Sequence, residues 1–187
     1  MRVIAGELKG KRLAAVPGQT TRPTTDKVKE SMFNIIGPYF AGGAVLDLFA
    51  GTGALGIEAL SRGMDRAVFV DHDAKAIQVV RKNVELCGVT DRAQIYRNDA
   101  RRAIAALAKR GQRFDLVFMD PPYQMDVIPQ LARSLLEQHL LQDSAVIVAE
   151  HGKDRQLPDR IESLGRWKFV TYGDIAVSFY KKGTFSA

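Results

Sequence analysis

Cysteine is nearly missing from this sequence, and that excludes a good deal. Cys87 is the single cysteine among 187 residues, so no disulfide framework can form and a reducing compartment is expected. Histidine is scarce as well. His72, His139 and His151 show no metal-ligand spacing, so no metal is expected. No apolar run approaches the roughly 18 residues that a membrane-crossing helix needs. There is also no signal-peptide pattern and no low-complexity tract. The expectation is a cytoplasmic protein with no membrane partner. The 46% of apolar residues suffice for one α/β domain with a small appendage.

Acidic residues are scarce at the amino end. Residues 1 to 29 hold seven basic groups against Glu7 and Asp26, a net of +5, while the other 158 residues carry +1. A basic arm on a near-neutral body points to a polyanionic partner, most often nucleic acid. Within the arm, "RVIAG" and "RLAAVPG" are apolar patches broken by Gly and Pro, which predicts a short hairpin over residues 1–23 rather than a solvated tail.

From Thr24 the pattern changes. "TTDKVKESMFNIIG" places Val28, Met32, Ile35 and Ile36 at helical spacing, with Thr or Asp to open the helix and Gly37-Pro38 to close it. Strands are then expected over 44–48, 67–71, 93–96, 114–119 and 144–149. They alternate with helices over 54–62, 74–87, 100–110 and 126–140. Such alternation predicts a parallel sheet with helices on both faces. "WKFVTYGDIAVSFYKK" gives two more strands, 167–172 and 175–181, parted only by Gly173-Asp174. A turn that tight makes an antiparallel hairpin. The expected body, residues 24–187, is therefore a Rossmann-like α/β fold with a mostly parallel seven-stranded sheet and one antiparallel strand at its end.

In such sheets ligands bind beyond the carboxyl ends of the strands. The first strand runs into "VLDLFAGTGALGIEAL", where Gly51, Gly53 and Gly56 match a glycine loop before a helix. Asp71 ends the second strand 20 residues after Gly51, where a carboxylate can accept both hydroxyls of a ribose. Those two features alone would describe a nicotinamide dinucleotide enzyme. Asp47, however, aims a negative charge into the loop, which opposes a pyrophosphate and suits a cationic ligand. Asp99, in "RNDARRAI" after the third strand, can accept from an adenine amine. Together these features describe an adenosine joined to a cationic amino acid, a description that S-adenosylmethionine meets.

The fourth strand, "FDLVF", ends in "MDPPYQ". Pro121 and Pro122 cannot donate ladder hydrogen bonds and both fix φ, so Asp120 and Tyr123 are held on a stiff loop.

"VLDLFAGTG", "VFVDHD", "NDA" and "DPPY" stand in the order and at about the spacing of class I S-adenosylmethionine-dependent methyltransferases, and nearly the whole chain takes part. "DPPY" resembles the motif of those that methylate exocyclic amines. The arm with "RPTTDKVKESMFNII" resembles the small bacterial methyltransferases of the RsmD type, which modify guanine-N2 in 16S ribosomal RNA. The resemblance implies a cofactor site of Asp47, Phe49, Ala50, Gly51, Gly53, Asp71, His72, Asp99 and Ala100. It implies a catalytic set of Asp120, Pro121 and Tyr123. Ribosomal RNA or the small ribosomal subunit is the implied partner, met by Arg2, Lys9, Lys11, Arg12 and Arg22. A monomer is expected. Three other readings stay open: an adenine-N6 methyltransferase acting on RNA or DNA, an NAD-dependent oxidoreductase, and a non-enzymatic ribosome-assembly factor.

The chemistry explains the loop. An exocyclic purine amine is a poor nucleophile because its lone pair is delocalised into the ring. Two acceptors, the Asp120 carboxylate and the Pro121 carbonyl, can each take one N–H, turning the pair out of plane and stabilising the charge that grows on nitrogen. Tyr123 would stack on a base that is unpaired or flipped out. Cys87, in "ELCGV" at a helix end, reads as a packing residue. Trp167 reads as a strand-face or core residue, and "RRAIAALAKR" as an amphipathic helix with a wet basic side.

Overall fold

The structure is a computed structural model and describes residues 1–18, 25–122 and 124–183. Arg22 and Tyr123, both expected at functional positions, lie outside the described residues. The chain forms two compact units, Met1–Asp99 and Ala100–Ala187.

In the first unit the basic arm is packed rather than loose. Arg2 and Arg12 form a single antiparallel bridge. Around it the Val3 N–H donates to Lys11 O, the Gly10 N–H to Val3 O and the Leu13 N–H to Met1 O. The expected hairpin is thus a loop closed by one bridge. Gly6 and Gly10, at φ 90° and 88°, bend the chain too early for regular strands. Val3, Leu13 and Val16 bury their side chains.

Helix α1 (Asp26–Ile36) is capped by Thr25, whose Oγ1 accepts the Val28 N–H at 3.3 Å. Its Val28, Met32 and Phe33 face inward. Strand β1 (Ala44–Asp47) leads through the glycine loop into α2 (Ala54–Ser61), followed by β2 (Arg66–Asp71), α3 (Ala74–Leu86) and β3 (Ala93–Arg97). β2 pairs in parallel with both β1 and β3. All four β1 residues are buried, as expected of a parallel strand covered on both faces.

The second unit begins with α4 (Ala100–Lys109), then β4 (Phe114–Met119), α5 (Ile128–Glu137), β5 (Leu141–Gly152), β6 (Arg160–Ile161), β7 (Leu164–Tyr172) and β8 (Ile175–Lys182). β4 pairs in parallel with β5, and β5 pairs antiparallel with β8. β8 pairs antiparallel with β7, and β7 with β6.

Two expectations are corrected here. The described residues form eight strands rather than seven, because the two-residue β6 is too short to leave a periodic signal. Two strands, β6 and β8, run against the parallel set, and β8 lies between β5 and β7 rather than at the edge. The Gly173-Asp174 turn fixes which strands form the hairpin. Which arm of the hairpin then meets β5 is a non-local choice. β8 has the more apolar sequence and is buried from Ala176 to Tyr180, so it takes the inner place.

Candidate active site

The glycine loop follows directly from β1. Gly53 caps α2 at φ 84° and Gly51 turns at φ 57°, conformations costly for any residue with a Cβ. Among the described residues, and apart from Gly51 and its two chain neighbours, no heavy atom lies within 4 Å of where a Gly51 Cβ would stand, so the loop opens onto free space at that point. Gly56 packs its bare backbone against the Phe69 ring; a Cβ there would lie 2.3 Å from the ring.

Asp47 ends β1 beneath this loop and is 2% exposed. Burial pushes its carboxyl up to about 7; backbone hydrogen bonds involving Phe49 and Gly56 pull it down, and the nearby Asp71 charge adds to the rise. Among the described residues its Oδ1 has no hydrogen-bond partner. A buried carboxylate oxygen without a donor is costly, and it fits a donor that arrives with a cationic ligand.

Asp71 lies at the carboxyl end of β2. Its Oδ2 accepts the Gly51 N–H at 2.9 Å and its Oδ1 accepts the Asp73 N–H at 3.0 Å. One carboxylate thereby ties the strand end to the glycine loop, and each oxygen keeps a lone pair for a further donor. His72 stands exposed beside it, with Nδ1 3.7 Å from Asp71 Oδ1. Phe49 is half-buried and Ala50 buried, the latter donating its N–H to Val70 O. Asp99 is exposed after β3, with its N–H held by Asn98 Oδ1 at 2.9 Å, and Ala100 begins α4. The structure therefore gathers Asp47, Gly51, Gly53 and Asp71 around one loop, with Asp99 at the end of the neighbouring strand.

In the second unit Asp120 directly follows β4. It is partly exposed, Pro121 is buried and Pro122 exposed. The Met125 N–H donates to Pro122 O at 2.9 Å, closing a turn after the prolines. The buried strand, Leu116 to Met119, delivers the acid to a strand's carboxyl end.

Sequence reading missed two features of the first unit. The first is a buried ionic cluster. Glu58, fully buried on α2, lies 3.3 Å from Lys29 Nζ and 2.8 Å from Arg62 Nε. The same carboxylate accepts the Ile4 N–H at 2.9 Å and the Ala5 N–H at 3.1 Å from the arm. Lys29 Nζ also donates to Arg2 O at 2.7 Å. Burial lowers the Lys29 pKa, and the Glu58 charge opposes that shift. The second is Asn83, buried on α3. Its Oδ1 accepts the Ala14 N–H at 2.7 Å, and its Nδ2 donates to Ala14 O at 3.0 Å and to Thr52 O at 2.8 Å. It links the arm to the glycine loop. On a helix, charged or amide residues read as solvent-facing, so no pattern in the sequence marks either feature.

Of the expected RNA contacts, Lys9, Lys11 and Arg12 are exposed. Arg2 is exposed too, though its Nε lies 3.2 Å from Asp26 Oδ2. Cys87 is buried at the end of α3, as expected of a packing residue. Trp167 is half-buried on β7 against Phe179.

The model of the family described as "Conserved hypothetical protein 95" matches residues 1–181. The chain belongs to that family. YlbH of Bacillus subtilis (strain 168), provisionally named an rRNA methyltransferase, is 52% identical over 97% of this chain and 99% of its own. Ribosomal RNA small subunit methyltransferase D of Escherichia coli (strain K12) is 30% identical over 97% of this chain and 90% of its own. A solved Escherichia coli structure, provisionally titled methyltransferase yhhF, superposes with a TM-score of 0.81 at 31% identity, covering 97% of each chain. The family and these relatives agree with the methyltransferase fold read from the strand-end motifs. Among the described residues no group of His, Cys, Asp or Glu is placed to hold a metal ion, and no helix is long and apolar enough to cross a membrane.

Proposed function

We propose that this protein transfers a methyl group from S-adenosylmethionine to the exocyclic N2 amine of a guanine in small-subunit ribosomal RNA. The observation that carries the reading is the buried, unpartnered Asp47 Oδ1 beside a glycine loop, in a chain whose β4 runs into Asp120, Pro121 and Pro122. Membership of the methyltransferase family supports it.

S-adenosylmethionine supplies an electrophilic methyl group on a sulfonium. Asp47 meets its cationic amino-acid end, the backbone at Gly51 and Gly53 lies against it, and Asp71 takes the ribose hydroxyls. Asp99 accepts from the adenine amine, with Phe49, Ala50, His72 and Ala100 as the surrounding wall. Asp120 and the Pro121 carbonyl each accept one N–H of the target amine, which orients its lone pair and offsets the charge developing on nitrogen. The prolines hold both acceptors in place before the substrate arrives. Tyr123 stacks on the extruded base. Residues 1–23 act as the docking arm of a methyltransferase domain spanning 24–187, with Arg2, Lys9, Lys11, Arg12 and Arg22 on phosphates. The protein works as a monomer in the cytoplasm.

The test is incubation with labelled S-adenosylmethionine and, separately, small-subunit particles, ribosomal RNA and DNA, followed by identification of the modified nucleoside. N2-methylguanosine in the small-subunit RNA is the expected product. N6-methyladenosine would transfer the reading to adenine, and binding of NAD without transfer would overturn it.

A further inference from the structure

The near-neutral charge of the body conceals a second basic cluster. Residues 100–113 hold Arg101, Arg102, Lys109, Arg110 and Arg113 and no acid, a net of +5. Acidic residues elsewhere cancel this cluster in the total, but not at its own surface.

In the second unit α4 turns Ala103, Ile104 and Leu107 inward. Arg101, Arg102, Ala106, Lys109 and Arg110 are exposed, and so is Arg113 beyond the helix end. At 3.6 residues per turn, Arg102, Ala106, Lys109 and Arg110 fall within an arc of about 100° along one side of the helix. Two arginines of the cluster also hold neighbours within the unit. Arg101 Nη2 donates to Gln130 Oε1 of α5 at 2.7 Å, and Arg113 Nη2 donates to Leu141 O at 3.1 Å. The exposed acid on the neighbouring α5 is Glu137, at its carboxyl end.

The helix dipole favours Lys109 and Arg110 at the carboxyl end of α4, but it does not account for the cations at the other end. Arg101 and Arg102 sit in the first turn of α4, which carries no acid. Cations there oppose the helix dipole, at a cost of roughly 0.3–1 kcal/mol each. The stripe also lacks the exposed aromatic or large aliphatic side chain that anchors a protein partner. It offers guanidinium forks and an ammonium around a small Ala106, which suits a run of phosphates.

We propose that the face of α4 formed by Arg102, Lys109 and Arg110 is a second docking surface for the phosphate backbone of the RNA substrate, distinct from the amino-terminal arm. The inference rests on the reading that the substrate is ribosomal RNA. The face contributes affinity without reading sequence, since it offers charge and no base-stacking group.

The test uses the full chain, with binding to small-subunit ribosomal RNA measured across a salt series. Ala is the strongest helix former, so Lys109→Ala with Arg110→Ala keeps α4 intact. This pair should flatten the log–log salt dependence by about 0.7–0.9 for each phosphate that is no longer neutralised. Lys109→Glu with Arg110→Glu should weaken binding more than about tenfold at physiological salt. Cofactor affinity should stay the same in both. An unchanged slope and affinity in variants that bind cofactor normally would overturn the inference while leaving the substrate assignment standing. Loss of binding to assembled particles but not to naked RNA would assign the face to a ribosomal protein and also overturn it. Failure of the unaltered protein to bind or methylate any RNA would overturn both.

Discussion

Glu58 is the residue whose replacement should unsettle the first unit most. Its carboxylate is fully buried and faces two cations and two arm N–H groups, at 3.3, 2.8, 2.9 and 3.1 Å. Glu58→Gln keeps the shape but removes the charge, so Lys29 and Arg62, 1% and 3% exposed, lose the carboxylate that pairs with both, leaving Lys29 only the Asp26 charge nearby. Removing one member of a buried ion pair typically costs about 3–5 kcal/mol. The loss should fall in that range, since the Gln oxygen can still accept one bond while its amide faces the remaining donors. With a slope of roughly 2 kcal/mol per molar in urea, the unfolding midpoint should drop by about 2 M. Ile4 and Ala5 lose their charged acceptor at the same time, so the arm should become sensitive to protease before the body unfolds. RNA affinity should fall while cofactor affinity holds. The double variant Glu58→Gln with Lys29→Met should cost less than the sum of the two single changes, because the stranded ammonium is gone. A Glu58→Gln midpoint within about 0.5 M of the parent, or strictly additive costs, would refute the argument.

Four further outcomes are expected. The Asp47 carboxyl is raised from 3.8 to about 7, so between those values the folded protein keeps a proton that the unfolded chain has lost. Stability of the ligand-free protein should therefore fall as pH rises from about 4 to about 7, and Asp47→Asn should flatten that slope in thermal denaturation. A cationic ligand favours the carboxylate, so calorimetry near pH 6 in buffers of different ionisation heat should show proton release on S-adenosylmethionine binding; no buffer dependence would contradict the assignment. Asp120→Ala should reduce turnover about a hundredfold or more, with Asp120→Asn milder and cofactor affinity kept in both. Near-normal turnover would remove Asp120 from the mechanism. Asp71→Ala should weaken cofactor binding about tenfold or more, since it loses the ribose acceptor and also frees the Gly51 N–H. Unchanged affinity in a titration would rule out both roles.

Much of the fold was legible in the sequence because its signals are local. Apolar runs, helical spacing and capping residues mark β1 to β5 and α1 to α5 to within a few residues, and β4 at both ends. The glycine loop, Asp47, Asp71 and Asp120 were legible for the same reason: each stands where a strand pattern stops, and strand ends are where an α/β sheet exposes its ligand site. The amino-terminal loop was half legible. Its apolar patches foretold that it would fold back, but its packing on Ser61 and Glu58 was invisible, because those partners are more than 50 residues away.

Tertiary structure alone decided two matters. It placed β8 inside β7, a choice set by which strand of a local hairpin buries the more apolar surface against β5. It also brought Lys29, Glu58 and Arg62 out of water together. Spacing along a chain records which residues share a face of one element. Whether a charge on that face meets solvent or an opposite charge from another element depends on packing, and the cost of desolvating an unpaired ion makes that choice all or none.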